Sequence, residues 1–129
     1  MQTQALDPPA ARLAPADVVR AAFAAYNRGA LDEGRRYLAP DLQWILPPTA
    51  LHSDVVYGPD AFLRVLKSEF EAFSQVRREP LELEEDGDRV LGVVASRVRG
   101  RVSGIELEER SLHAFTVRDG RILRAEPLA

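Results

Sequence analysis

The place where this chain could do chemistry is one histidine set among alternating apolar residues. His113 falls in the run Ser111-Leu-His-Ala-Phe115, where a period of two puts Ser111, His113 and Phe115 on one face of a strand. With Asp119-Gly120 as a two-residue hairpin turn, Glu126 stands directly across from His113 and Arg124 across from Phe115. A carboxylate beside an imidazole favours the protonated ring and fixes its orientation. Such a pair can move a proton to or from a ligand, which typically contributes about 10²- to 10⁴-fold in rate. Two readings of His113 stay open: a core histidine that ties two strands together, or an acid-base group in an apolar pocket. Glu109 shares the face, opposite Val98. Turned inward it would be a general base with a raised pKa; turned outward it is a solvated strand end. Ser111 and His113 lie about 7 Å apart along the strand, which reads as too far for a direct nucleophile-base hydrogen bond.

The elements that must position these residues follow from turn and charge signals. A long hairpin over 90–117 is expected to fold back at Ser103-Gly104, with Arg101 facing Glu106 and Arg99 facing Glu108. One face of it then carries Val94, Val98, Val102, Ile105, Leu107, Ser111, His113 and Phe115. The same register sets Arg97 against Arg110, a like-charge contact that would recruit a carboxylate from elsewhere. Leu91, Val93, Leu112 and Ala114 make an apolar patch on the other face, beside the charged ladder. Upstream, Pro15 opens a helix carrying Val19, Ala22, Phe23 and Tyr26, and Gly29 stops it. A second helix fits 31–38, with Pro40 beyond it and Gly34 inside it. Leu42, Trp44 and Leu46 alternate as a strand, and 47–58 reads as a loop carrying His52 and Tyr57. Pro59-Asp60 begins a third helix with Phe62, Leu66, Phe70 and Phe73 along one stripe. Four antiparallel strands follow, so the order is helix, helix, strand, helix, then sheet: an α+β pattern.

Composition removes several functions. The 129 residues suit one domain, with 1–14 as a loose N-terminal arm and 15–129 as the folded unit. A net charge of −3 and the lack of a basic stripe argue against nucleic acid as a partner. With no cysteine and only His52 and His113, neither a thiolate site nor a histidine-rich metal site is expected, and no cofactor motif stands out. No apolar run approaches the roughly 18 residues of a membrane span, and the start lacks the pattern of a signal peptide. A cytoplasmic protein without membrane contact is the expectation.

The chain resembles the SnoaL-like branch of the nuclear transport factor 2-like superfamily over roughly residues 15–129. The resemblance rests on Phe23-Ala-Ala-Tyr-Asn-Arg-Gly29 with Leu31-Asp32, on Leu38-Ala-Pro-Asp41 leading to Trp44, on Tyr57-Gly58, and on Val117-Arg-Asp-Gly-Arg-Ile122. It implies a cone, a curved antiparallel sheet wrapped around helices, with a pocket at the wide end, and it implies a homodimer. Isomerases, cyclases, dehydratases and non-catalytic domains share that fold, so fold alone does not give activity. Set against ketosteroid isomerase, the catalytic tyrosine falls on Ala22, the general-base aspartate on Leu46 and the oxyanion-binding aspartate on His113. Two of those three roles are empty, and the third has changed residue type.

The expected site is therefore His113 with Glu126 or Glu109 as acid-base groups, lined by Tyr26, Trp44, Tyr57, Ser111 and Phe115. Its ligand would be a small hydrophobic molecule. Three readings remain: an isomerase, cyclase or dehydratase using His113, a non-catalytic binder of the same kind of molecule, or a dimeric interaction module whose interior is filled by its own side chains.

Overall fold

A computed structural model describes residues 13–46 and 55–128; the expected arm up to residue 12, and His52, lie outside the described residues. Proline and glycine punctuate the helices much as expected. Pro15 occupies the first turn of α1 (Pro15–Asn27), which buries Val18, Val19, Ala22, Phe23 and Tyr26 along one stripe. Gly29, at φ 74°, turns the chain out of the helix as its N–H donates to the Tyr26 carbonyl at 2.9 Å. The second helix is shorter than the expected 31–38. It stops as α2 (Leu31–Arg35), and Leu38 already opens strand β1 (Leu38–Ile45). The Ile122 N–H donates to the Tyr37 carbonyl at 2.7 Å, which draws this segment into the sheet. Pro40, read as a helix stop, lies on β1 with its side exposed.

Within the expected 47–58 loop, a short strand β2 (Val55–Tyr57) pairs antiparallel with β1. Helix α3 (Pro59–Ala72) follows, with Phe62 and Leu66 buried, and runs straight into β3 (Phe73–Asp86). The sheet is completed by β4 (Arg89–Gly100), β5 (Glu106–Arg118) and β6 (Arg121–Pro127). Six strands lie in the order β2-β1-β6-β5-β4-β3. The β3–β6 run is antiparallel, but β1 pairs parallel with β6, so the sheet is mixed. One face packs on the helices. Its core joins Val18, Val19 and Phe23 to Leu42, Val90, Val94, Phe115, Ile122 and Ala125. No helix among the described residues is long and apolar enough to cross a membrane.

Two registers differ from expectation, each for a visible reason. The β4–β5 hairpin is shifted by two residues: Arg99 pairs with Glu106 and Arg97 with Glu108, with ion pairs of 2.7 and 3.1 Å. Arg101 has left the ladder because the C-terminus of α3 takes it. Its guanidinium donates to the carbonyls of Phe70, Glu71 and Phe73 at 2.9–3.1 Å, groups a helix end leaves unpaired. The loop lengthens to match, closing where the Gly100 N–H donates to the Ile105 carbonyl at 2.9 Å. Arg110 thus stands opposite Ala95, and the expected clash with Arg97 does not exist. A shift of two preserves the faces, so the inward set is the expected one along the paired strands. In the second case a bulge at Leu123 breaks the β5–β6 pairing between Thr116 and Val117. One extra residue reverses the faces beyond it. Glu126 therefore pairs with Ala114, and Pro127, not Glu126, stands across from His113.

Candidate functional site

His113 sits on the helix-facing side of β5, 7% exposed, with its ring nearly parallel to that of Phe115 at 5.9 Å. Gly92 is its neighbour on β4, and a β-carbon there would press on Leu83 and lie 3.0 Å from the Leu81 carbonyl. No side chain from β4 therefore reaches the imidazole from that position. Ser111 does reach it. Its Oγ lies 3.2 Å from His113 Nδ1, and its carbonyl oxygen lies 3.4 Å from the same nitrogen. The 7 Å spacing along the strand overstated the gap, because it counts the backbone rise and leaves out the reach of the two side chains along the strand. With the proton on Nδ1, donated toward Ser111, Nε2 is left as the free basic nitrogen.

Burial holds the His113 pKa below the ordinary 6.5. The positive charge of Arg78 pushes the same way, and the hydrogen bond to the Ser111 carbonyl opposes them. The neutral ring is thus the native form at neutral pH. Unfolding releases a histidine that titrates near 6.5, so the unfolded chain binds more protons between that pH and the lower native pKa. This contribution to stability is complete above 6.5 and declines as pH falls through the window below it. We expect His113→Gln to flatten that acid-side decline, as read from denaturant midpoints at pH about 7.5 and about 5.5.

Arg78 reaches this neighbourhood from β3. Ladder pairing places it on one face with Ser96 and Glu109, while the next row toward His113 is Pro80, Val94 and Ser111. Its guanidinium makes a two-pronged ion pair with Glu69 of α3, at 2.7 and 3.0 Å, with both side chains about a quarter exposed. Its backbone is held as well. The Asn27 carboxamide accepts from the Arg78 N–H at 2.9 Å and donates to the Arg78 carbonyl at 2.8 Å. In effect the end of α1 acts as a further strand against the open edge of β3.

Of the other expected site residues, Tyr26, Trp44 and Phe115 join the packed core, while Tyr57, Glu109 and Glu126 lie apart from it. Trp44 is core: it stacks on Phe62 at 4.1 Å, meets Phe115 edge-on and lies tilted against Phe23. Phe115 is fully enclosed. Tyr26 turns its hydroxyl to the Gly34 carbonyl at 3.4 Å rather than to any ligand space, and burial pushes its pKa up. Tyr57 is 66% exposed and pairs with Gln43, on the face away from the helices. Glu109 faces inward by register but is exposed, and it stands opposite Ser96 instead of Val98. Glu126 lies on the far face beside Arg124, at 3.5 Å. Of the expected set, then, His113 and Ser111 come together. Sequence reasoning missed Arg78, Glu69 and Asn27, which only the folding of β3 across α1 and α3 assembles.

Two surface recesses stand out among the described residues, and neither is lined by His113. One, of about 490 Å³, is lined by the charged ladder of β3, β4 and β5, including Arg77, Arg97, Glu108 and Arg110. The other, of about 420 Å³, lies at the opposite end among Arg35, Arg36, Pro59 and Arg121.

Comparison with known proteins agrees with this architecture. The NTF2-like protein of unknown function from Burkholderia pseudomallei superposes with a TM-score of 0.76 at 23% identity, covering 88% of each chain. The polyketide cyclase candidate IdmH from Streptomyces antibioticus gives 0.78 at 24% identity, over 90% of this chain and 91% of its own. TerC, crystallised with polyporic acid, gives 0.76 at 21% identity, over 88% and 89%. Identities this low speak for the fold alone. No curated protein matches the chain in sequence. The model of the SnoaL-like domain matches residues 19–125, nearly the whole described chain, and the protein therefore belongs to the SnoaL-like domain family, with the NTF2-like fold.

Proposed function

We propose that this SnoaL-like domain binds a small, largely apolar molecule on the helix-facing side of the sheet, with His113 as its hydrogen-bonding and proton-transferring group. The observation that carries the reading is a buried, neutral imidazole whose Nδ1 is held by Ser111, at the border between an aromatic core and a polar row. A neutral ring with one nitrogen engaged offers the other as a base, the form needed to take a proton from a weakly acidic ligand. TerC and IdmH lend support as proteins of the same fold, one crystallised with polyporic acid and the other described as a candidate cyclase. The protein is proposed to act as a homodimer through the sheet's far face. There Leu112, 43% exposed, lies in one row with Val93 and Leu81, beside the charged ladder.

One observation favours a second reading. Phe23, Tyr26, Trp44, Phe62 and Phe115 already fill the interior with rings 4.1–6.2 Å apart, as an interaction module with no ligand would. Native mass spectrometry of the protein purified from its own host separates the two. Ligand binding predicts a dimer with a small organic adduct that denaturation releases, and His113→Ala should weaken its retention by up to about tenfold, the scale of one lost hydrogen bond. An unadorned mass that also stays unadorned with added polyporic acid would favour the module.

A further inference from the structure

We propose that the recess bordered by α2, β1, the start of α3 and the start of β6 binds the phosphate monoester of a small organic molecule, with Arg36 and Arg121 gripping the phosphate. This site is separate from His113 and does not rest on the reading above.

The backbone brings these two cations together. The Ile122 N–H donates to the Tyr37 carbonyl at 2.7 Å, and Leu38 pairs with Ile122 in the parallel ladder. The residues just before Tyr37 and Ile122 are Arg36 and Arg121, so both start from one end of the sheet. Both are exposed, both line the recess, and neither forms an ion pair among the described residues. Like charges held side by side repel. The nearby acids do not relieve them, because Glu33 is engaged by Arg28 and Asp60 by Arg35. Arg118, across the β5–β6 ladder from Arg121, is likewise taken by Asp88 at 3.2 Å. Only Asp32 opposes the two arginines within the lining. An excess of positive charge therefore gathers at one recess of a chain whose net charge is −3. That excess calls for an anion, and the recess narrows which. Guanidinium forks match phosphate oxygens in two-pronged fashion. A phosphate monoester carries about −1.5 to −2 charges near pH 7, enough to answer two arginines. The recess, of about 420 Å³, has room for more than a bare phosphate. Pro40, exposed, and Pro59, half-buried, give it stiff apolar walls against which the organic part of the ester can lie.

The test is titration calorimetry on the intact protein with phenyl phosphate, phenyl sulfate and inorganic phosphate, at pH about 8, where the phosphate ester is a dianion. Phenyl phosphate should bind at least about threefold more tightly than its singly charged sulfate isostere, and by a similar margin over inorganic phosphate. Arg36→Met and Arg121→Met should each weaken it by about three- to tenfold, the scale of a charge-assisted contact at an exposed site. Asp32→Asn removes the opposing charge and should strengthen it, a gain that damage to the fold would not produce. Arg20→Met removes the same charge from an exposed position on α1 and should leave the affinity as it is. No binding of phenyl phosphate overturns the proposal, as does binding that survives the double variant Arg36→Met/Arg121→Met. An equal loss in Arg20→Met overturns it too, because net charge alone would then explain the attraction. Inorganic phosphate bound as tightly as phenyl phosphate would reduce the recess to a counter-ion site and overturn the ligand class.

Discussion

Gly34→Ala is expected to destabilise the protein by about 2–3 kcal/mol, the range of an overpacked core, although alanine is the better helix former. On an open helical surface that change would gain up to about 1 kcal/mol. Here the space is taken. A β-carbon on Gly34 would fall well inside contact distance of Tyr26 Cε1 and 2.7 Å from its Cδ1. The ring cannot swing aside, because it is wedged edge-on against Phe23 and Phe62 and its hydroxyl is bonded to the Gly34 carbonyl. Thermal or urea unfolding of the variant would show the loss. Trimming the ring in the double variant Gly34→Ala/Tyr26→Leu should recover part of it, because the alanine methyl then has room. A Gly34→Ala protein as stable as the wild type would mean that α2 does not sit against Tyr26 as described.

Asn27→Leu should cost a comparable amount, about 2–3 kcal/mol, because it leaves a half-buried N–H and a half-buried carbonyl of Arg78 without partners at about 1–3 kcal/mol for a fully buried group. Leucine matches the carboxamide in size but can neither donate nor accept, so the loss reports hydrogen bonding more than packing. Hydrogen exchange would localise it. The Arg78 amide should exchange faster in the variant, while amides of β5, two strands inward, keep their protection. Asn27→Asp is the informative companion. It still accepts from the Arg78 N–H but opposes the Arg78 carbonyl with a second acceptor, and should fall between wild type and Asn27→Leu in stability.

The faces of the long hairpin were legible in the sequence because alternation depends only on parity. Val94, Ser111, His113 and Phe115 point where period two puts them, and even the two-residue slip left them there. The slip itself was not legible. Ser103-Gly104 looks like a tight turn, and nothing local reveals that Arg101 will be claimed by a helix end 28 to 31 residues upstream. Glu126 was misplaced for a similar reason, since a bulge at Leu123 has no signature of its own and reverses every residue beyond it. Trp44, Tyr26 and Phe115 carry the residue types of a pocket lining, yet aromatic chains on a core-facing strand and helix satisfy one another first. The Asn27, Glu69 and Arg78 cluster lay beyond reach altogether. Its members come from three elements, and no spacing along the chain links them.

The place of β6 between β1 and β5 has a consequence for how the protein is made. The strand synthesised last among those described is the one that joins the two halves of the sheet. Until residues 121–127 leave the ribosome, β1 with β2 and the β3–β5 meander are separate pieces, each with an open edge where β6 belongs. The parallel partnership of Leu38 with Ile122 then has to be found across more than eighty residues of chain, a distant pairing of the sort that slows folding. The emergence of β6 is therefore the least settled moment in making this sheet, when an aromatic core already supplied by α1, β1 and α3 still waits for its final wall.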